Sequence, residues 1–148
     1  MHYSHRLRIG RRSIANHYYA ITFVCDCRQK RFTSLPFNKA IIQSLHRAAF
    51  ECDTLLHTYV LMPDHCHLLV QLGTVTLPDL VRKLKGLAVV TARNNGLTQR
   101  LWQRDYYERC IRNEEELLAM ARYIIENPLR AQLVSNINNY PYWDSQFL

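Results

Sequence analysis

The fold class this sequence predicts is α+β, a ferredoxin-like antiparallel sheet in the order β-α-β-β-α-β with one additional helix at the C-terminal end. Three observations predict it. Short runs rich in aromatic and β-branched residues fall at 18–25, 57–62 and 65–72, and a fourth at 102–111. Two long stretches of helical periodicity separate them in the required positions, and a third such stretch follows the last strand.

In chain order, Tyr18 to Cys25 (YYAITFVC) reads as a strand buried on at least one face. After Pro36, Asn38 is a candidate cap for a helix to about Cys52, with Ile41, Ile42, Leu45, Ala48, Ala49 and Cys52 at helical spacing. His57 to Met62 and His65 to Leu72 form two strands joined by a tight turn at Pro63-Asp64. Thr76 caps a second helix whose stripe is Leu77, Leu80, Val81, Leu84, Leu87 and Ala88, and Asn94-Asn95-Gly96 ends it. Trp102 to Ile111 (WQRDYYERCI) reads as the fourth strand. Asn113 and Glu116 stand at capping-box spacing ahead of a third helix that Pro128 breaks near Asn127.

The length of 148 residues fits one domain, read as a basic N-terminal arm over 1–16 followed by a single catalytic domain over 17–148. Nineteen Lys and Arg against twelve Asp and Glu give a net charge of +7, which suits a polyanionic partner and equally suits a merely basic soluble protein. Five cysteines lack the spacing of a disulfide framework and read as reduced thiols, which with the lack of an export signal predicts a cytoplasmic protein. Cys25 and Cys27 form a C-x-C, but no second Cys/His pair stands at zinc-finger spacing. No run approaches the roughly 18 apolar residues needed to span a membrane, so no membrane partner is expected.

His65 and His67, one residue apart on a strand, point to the same face and could make half of a metal site. Cys66, Leu68, Val70 and Leu72 would face the opposite, apolar layer. An H-x-H by itself is satisfied more often by ordinary strand histidines. Asn127 offers a carbonyl oxygen as a third ligand, and an oxygen with two nitrogens suits Mg²⁺ or Mn²⁺. Tyr123 lies one helical turn earlier on the same face, although spacing alone favours a packed aromatic and a helix-ending asparagine.

Taken together, YVLMPDHCHLLV (59–70), Trp102-Gln103, Tyr106-Tyr107 and YIIENP (123–128) resemble the REP-associated tyrosine transposases, a branch of the single-tyrosine HUH transposases of insertion sequences. The likeness extends from about Tyr18 to Val134. It implies that His65 and His67 bind a divalent cation, that Asn127 is the third ligand and that Tyr123 is the nucleophile. It further implies cutting and rejoining of single-stranded DNA bearing a REP-like hairpin, through a 5′-phosphotyrosine. Action as a monomer is expected, with a homodimer as the alternative. Two positions depart from the family pattern: Cys66 stands between the histidines in place of a larger hydrophobe, and Asp64 stands where an Asn often precedes the first His.

For such a substrate, Arg6, Arg8, Arg11 and Arg12 with Arg82, Lys83 and Lys85 would track phosphates, and Trp102, Tyr106 and Tyr107 could stack on unpaired bases. Core packing of the aromatics and a solvated helix face remain open for the same residues. Two other readings of the chain are a ferredoxin-like nucleic-acid-binding module without catalysis and a metal-dependent hydrolase that forms no covalent adduct.

Overall fold

A computed structural model describes Ser13, Ile14 and residues 16–146. The arginines at 6, 8, 11 and 12 therefore lie outside the described residues. The elements are β1 (Tyr18–Val24), α1 (Leu35–Glu51), β2 (Leu55–Met62), β3 (His65–Gln71), α2 (Leu77–Asn94), β4 (Tyr107–Ile111), α3 (Glu114–Ile125), the single turn α4 (Asn127–Arg130) and β5 (Trp143–Ser145). The sheet runs β4-β1-β3-β2-β5 and every pairing is antiparallel. The first four strands give the expected ferredoxin-like order, and β5 adds an outer strand beside β2.

Strand alternation divides the core into two layers. Ile21, Phe23, Leu61, Cys66, Leu68 and Val70 pack with Ile41 and Leu45 of α1 and Leu80 and Leu84 of α2. Val60, Met62, Leu69 and Ile111 on the other face pack with Leu117, Ala121 and Ile124 of α3 and with Tyr140. The second face is thus only partly open, covered by α3 and by C-terminal residues such as Tyr140.

Local chemistry decides the helix ends. Ser34 caps α1, its hydroxyl accepting from Phe37 N at 3.4 Å, and Pro36 sits inside the first turn, where its missing N–H costs nothing. Asn38 is not the cap: it is fully buried within the helix and its amide donates to Phe32 O at 3.1 Å. At the end of α2, Gly96 takes φ 99°, Leu97 N donates to Ala92 O at 2.9 Å and Gly96 N to Arg93 O at 3.1 Å, a Schellman closure. Asn113 caps α3 through Glu116 N at 2.9 Å, while the Glu116 carboxylate takes Arg112 N at 2.9 Å.

Two expected boundaries move. The fourth strand is Tyr107–Ile111, not 102–111, because the Gln103, Arg104 and Asp105 carbonyls converge on the Lys85 ammonium at 2.8, 3.3 and 3.2 Å. Carbonyls gathered around one cation cannot also lie along a ladder. Pro128 does not end helical geometry: α3 stops at Ile125, and Pro128 then occupies the first turn of α4, a position that tolerates it.

Candidate active site

The antiparallel register of β1 and β3 sets Thr22 opposite His67 and Val24 opposite His65. His65 and His67 therefore leave the sheet together, on the α3 side, with ring centroids 4.9 Å apart and planes at 83°. Cys66 between them is fully buried in the opposite layer. The imidazoles share a cleft of about 590 Å³ with Ala20, Thr22, Arg28, Tyr107, Arg109, Glu116, Met120 and Tyr123.

Each imidazole is held through Nδ1. The His65 Nδ1 lies 2.6 Å from the Asp64 carboxylate, and the His67 Nδ1 lies 2.8 Å from the Thr22 hydroxyl. A carboxylate accepts only, so His65 carries its proton on Nδ1 and presents the lone pair of Nε2. Burial, the neighbouring His65 and the Arg130 charge push the His67 pKa down to about 3, so this imidazole is neutral at physiological pH. Two imidazoles tethered through their inner nitrogens, with the outer nitrogens turned to the cleft, are the donor arrangement a divalent cation requires.

Asp64 answers to two opposed effects. Burial alone would raise its pKa, but the His65 hydrogen bond and charge, with Arg28, hold it below the ordinary carboxylate value. Arg28 Nε stands 3.3 Å from the second Asp64 oxygen.

Tyr123 reaches the cleft from α3. Its ring centroid is 6.4 Å from that of His67, within one chain, and 53% of its surface is exposed. The Arg130 guanidinium lies over the phenol ring, its carbon 3.9 Å from the centroid, and Nη2 donates to the Tyr123 carbonyl at 2.6 Å. Glu126 separates α3 from α4 while keeping right-handed helical angles, and Arg130 follows Tyr123 by seven residues. Asn127 opens α4, half-buried, and is not among the side chains that line the cleft. Among the described residues, no three of His, Cys, Asp and Glu converge to enclose an ion.

The remaining expected residues separate. Tyr107 lines the cleft, paired across β1 with Thr22. Trp102 and Tyr106 are corrected: both are buried, packing on Phe23 at 5.4 and 6.3 Å, so their faces are not free for bases. Arg82 pairs with Asp79 at 2.8 Å and Lys83 with Glu51 at 3.6 Å, on the helical layer across the sheet from the histidines. Lys85 is committed to its three carbonyls and to the rings of Phe23 and Tyr106. The α2 cations therefore stand on the layer opposite the histidine cleft, with Arg82 exposed, Lys83 partly exposed and Lys85 engaged. The C-x-C also comes apart, since Cys25 is buried, its thiol pushed up to about 12 by that burial, while Cys27 is exposed.

Arg28, Arg109, Arg130 and Thr22 were not singled out from the sequence. Thr22 could have been found only from strand register, and Arg28 and Arg130 only from loop closure. Asp64 was visible beside the H-x-H, but its role depends on the turn.

A protein-family model described as "Transposase IS200 like" matches residues 13–127. An uncharacterized protein of Haemophilus influenzae is 32% identical over 94 aligned residues, covering 48% of this chain and 52% of the relative. The chain thus spans about half the length of that curated relative. Among solved structures, a REP-associated tyrosine transposase bound to a REP hairpin superposes with a TM-score of 0.76 at 18% identity, covering 97% of this chain and 81% of the other. A candidate transposase from Deinococcus radiodurans superposes at 0.59 with 22% identity, over 78% of this chain and 93% of the other. At such identities the two superpositions establish the fold; the family match, which takes in His65, His67, Tyr123 and Asn127, establishes more: this chain belongs to the IS200-like transposase family.

Proposed function

We propose that this protein is a metal-dependent strand transferase that cuts and rejoins hairpin-bearing single-stranded DNA through Tyr123. The observation that carries the reading is the approach of the Tyr123 ring to His67, 6.4 Å between centroids, above two imidazoles whose outward nitrogens are unengaged by Asp64 and Thr22. A REP hairpin as substrate is drawn from the superposed transposase that holds one.

His65 and His67 would hold Mg²⁺ or Mn²⁺ through Nε2, and Asn127, which opens α4 outside the cleft lining, would have to turn its side-chain oxygen toward them to serve as third ligand. When bound, a divalent ion withdraws charge from the non-bridging oxygens of the scissile phosphate and orients it. The chain's own residues do the rest. Tyr123 Oη, having lost its proton to water, attacks phosphorus; the new P–O bond replaces the bond to the DNA 3′-oxygen, which leaves and is protonated. Cleavage thus yields a 5′-phosphotyrosine and a free 3′-hydroxyl. The reverse attack by a 3′-hydroxyl expels the phenolate and reseals a strand, and no nucleotide is hydrolysed. Arg28 and Arg109, both 60% exposed at their side chains and both lining the cleft, can neutralise phosphates beside the attacked one.

Because Tyr123 and His67 meet inside one chain, a monomer suffices for this chemistry. Residues 1–16, with Arg6, Arg8, Arg11 and Arg12, would add salt-sensitive phosphate contacts ahead of the catalytic domain over 17–148. No helix among the described residues is long and apolar enough to cross a membrane, and the reading implies a cytoplasmic protein working on cellular DNA.

The test is covalent capture. With Mn²⁺ and single-stranded DNA carrying a hairpin and a labelled 3′ segment, the label should migrate with the protein on a denaturing gel. Tyr123→Phe should lose the adduct and retain DNA binding, and His65→Ala with His67→Ala should lose cleavage. An adduct that survives Tyr123→Phe moves the nucleophile to another tyrosine; cleavage without any adduct makes the protein a hydrolase.

A further inference from the structure

We propose that Asp64 and Arg28 form a positioning relay for His65: Asp64 fixes the imidazole and strengthens it as a donor to a divalent cation, and Arg28 holds Asp64 in place. The inference rests on the reading of His65 and His67 as ion ligands. It concerns two residues that would act on the cation through His65, whatever phosphate contact the exposed Arg28 also makes.

The connections run in line. One Asp64 oxygen stands 2.6 Å from His65 Nδ1, and the other stands 3.3 Å from Arg28 Nε. Asp64 and His65 are mostly shielded, with 20% and 16% of their side chains exposed, whereas Arg28 reaches in from solvent at 60%. A carboxylate accepting from Nδ1–H does two things to an imidazole. It fixes which nitrogen carries the lone pair, and its negative charge raises the electron density offered at Nε2.

Backbone geometry shows that Arg28 is delivered rather than incidental. Cys27 and Arg28 both adopt left-handed conformations, φ 53° and 50°, which side-chain-bearing residues avoid unless their surroundings enforce it. The enforcement is visible on either side. Cys25 N donates to Asp64 O at 2.8 Å and Phe32 N to Pro63 O at 3.0 Å, so the loop carrying Arg28 is bonded to the very turn that carries Asp64. Arg28 N on Cys25 O at 2.9 Å closes the loop from within, and Asp26 N on Leu101 O at 2.8 Å ties it to the segment before β4. Arg28 and Asp64 thus belong to one hydrogen-bonded unit. Thr22 serves His67 without a charge, so the two ligands are held unequally, and His65 is the stronger donor of the pair.

The experiment is Mn²⁺ titration of the full chain without DNA, followed by calorimetry, comparing wild type with Asp64→Asn and Arg28→Ala. Asparagine keeps the shape and an acceptor oxygen but removes the charge. Asp64→Asn should weaken Mn²⁺ binding by roughly 10- to 100-fold, and Arg28→Ala should weaken it by less, with the metal-free melting temperature of Asp64→Asn near that of wild type. Nitrogen-15 spectra of the imidazoles should show His65 protonated at Nδ1 in wild type and a mixture of tautomers in Asp64→Ala. Wild-type affinity in Asp64→Asn with an unchanged tautomer in Asp64→Ala overturns the relay while leaving the ligand reading intact. Absence of Mn²⁺ uptake by the wild-type chain overturns the ligand reading itself, and the relay with it.

Discussion

Replacing Arg130 by Ala tests how the proposed nucleophile is aimed. Tyr123 is 53% exposed, so packing alone does not restrain it, and Arg130 makes two contacts to this residue, one to its ring and one to its carbonyl. The guanidinium over the ring at 3.9 Å is worth about 0.5–1 kcal/mol at an exposed site. The donated hydrogen bond to the Tyr123 carbonyl, also solvent-accessible, is worth about 1 kcal/mol. Together they hold the α3–α4 corner by about 1.5–2 kcal/mol, which sets an upper bound of roughly 10- to 30-fold on the population of the aimed ring. Single-turnover adduct formation by Arg130→Ala should therefore slow, by at most that factor. Loss of the cation also weakens DNA binding, so saturating DNA and an Arg130→Lys control are needed. Lysine keeps the charge but not the flat, forked face, and should restore DNA affinity while recovering only part of the rate. Wild-type rates in Arg130→Ala at saturation, or full recovery with lysine, would refute the argument that stacking aims Tyr123.

Trp102 packs on Phe23 and Phe32 at 5.4 and 5.6 Å, so Trp102→Ala should cost about 3–5 kcal/mol in urea denaturation, and affinity for single-stranded DNA under native conditions should stay within twofold. An unchanged stability with lost affinity would restore the stacking role. His57 is buried against Tyr18, and burial holds its pKa below the ordinary histidine value of about 6.5. Below pH 6.5 the unfolded chain takes up that proton before the folded one, so stability is lost as the pH falls from there toward the folded value. Wild type should lose more stability between pH 7 and pH 5 than His57→Gln, as measured by urea midpoints; parallel losses would place the titration elsewhere.

Much of the fold was legible because it rests on local periodicity. Strands around Tyr18–Val24 and His65–Gln71 and the stripe of α2 follow from spacing that each segment satisfies by itself. β5 was not legible: Trp143–Ser145 is three residues with a central aspartate, and it is a strand only because the edge of β2 offers unpaired backbone groups. Residues 102–106 have strand composition, yet Trp102 and Tyr106 turn into the core and Lys85 takes the carbonyls between them. Tertiary packing overrode propensity there.

The sequence by itself determined that His65 and His67 share a face, because a strand alternates with period two whatever surrounds it, and that a helix carries Tyr123 close behind. Only the tertiary structure decided that this helix covers the histidine face, and that Thr22 of β1, Arg28 of the loop after it, Asp64 of the β2–β3 turn and Arg130 of α4 meet at the site. Periodicity is a property of consecutive residues. The partners of a side chain depend on strand register and on where loops close, and those are fixed by the free energy of the whole packed chain.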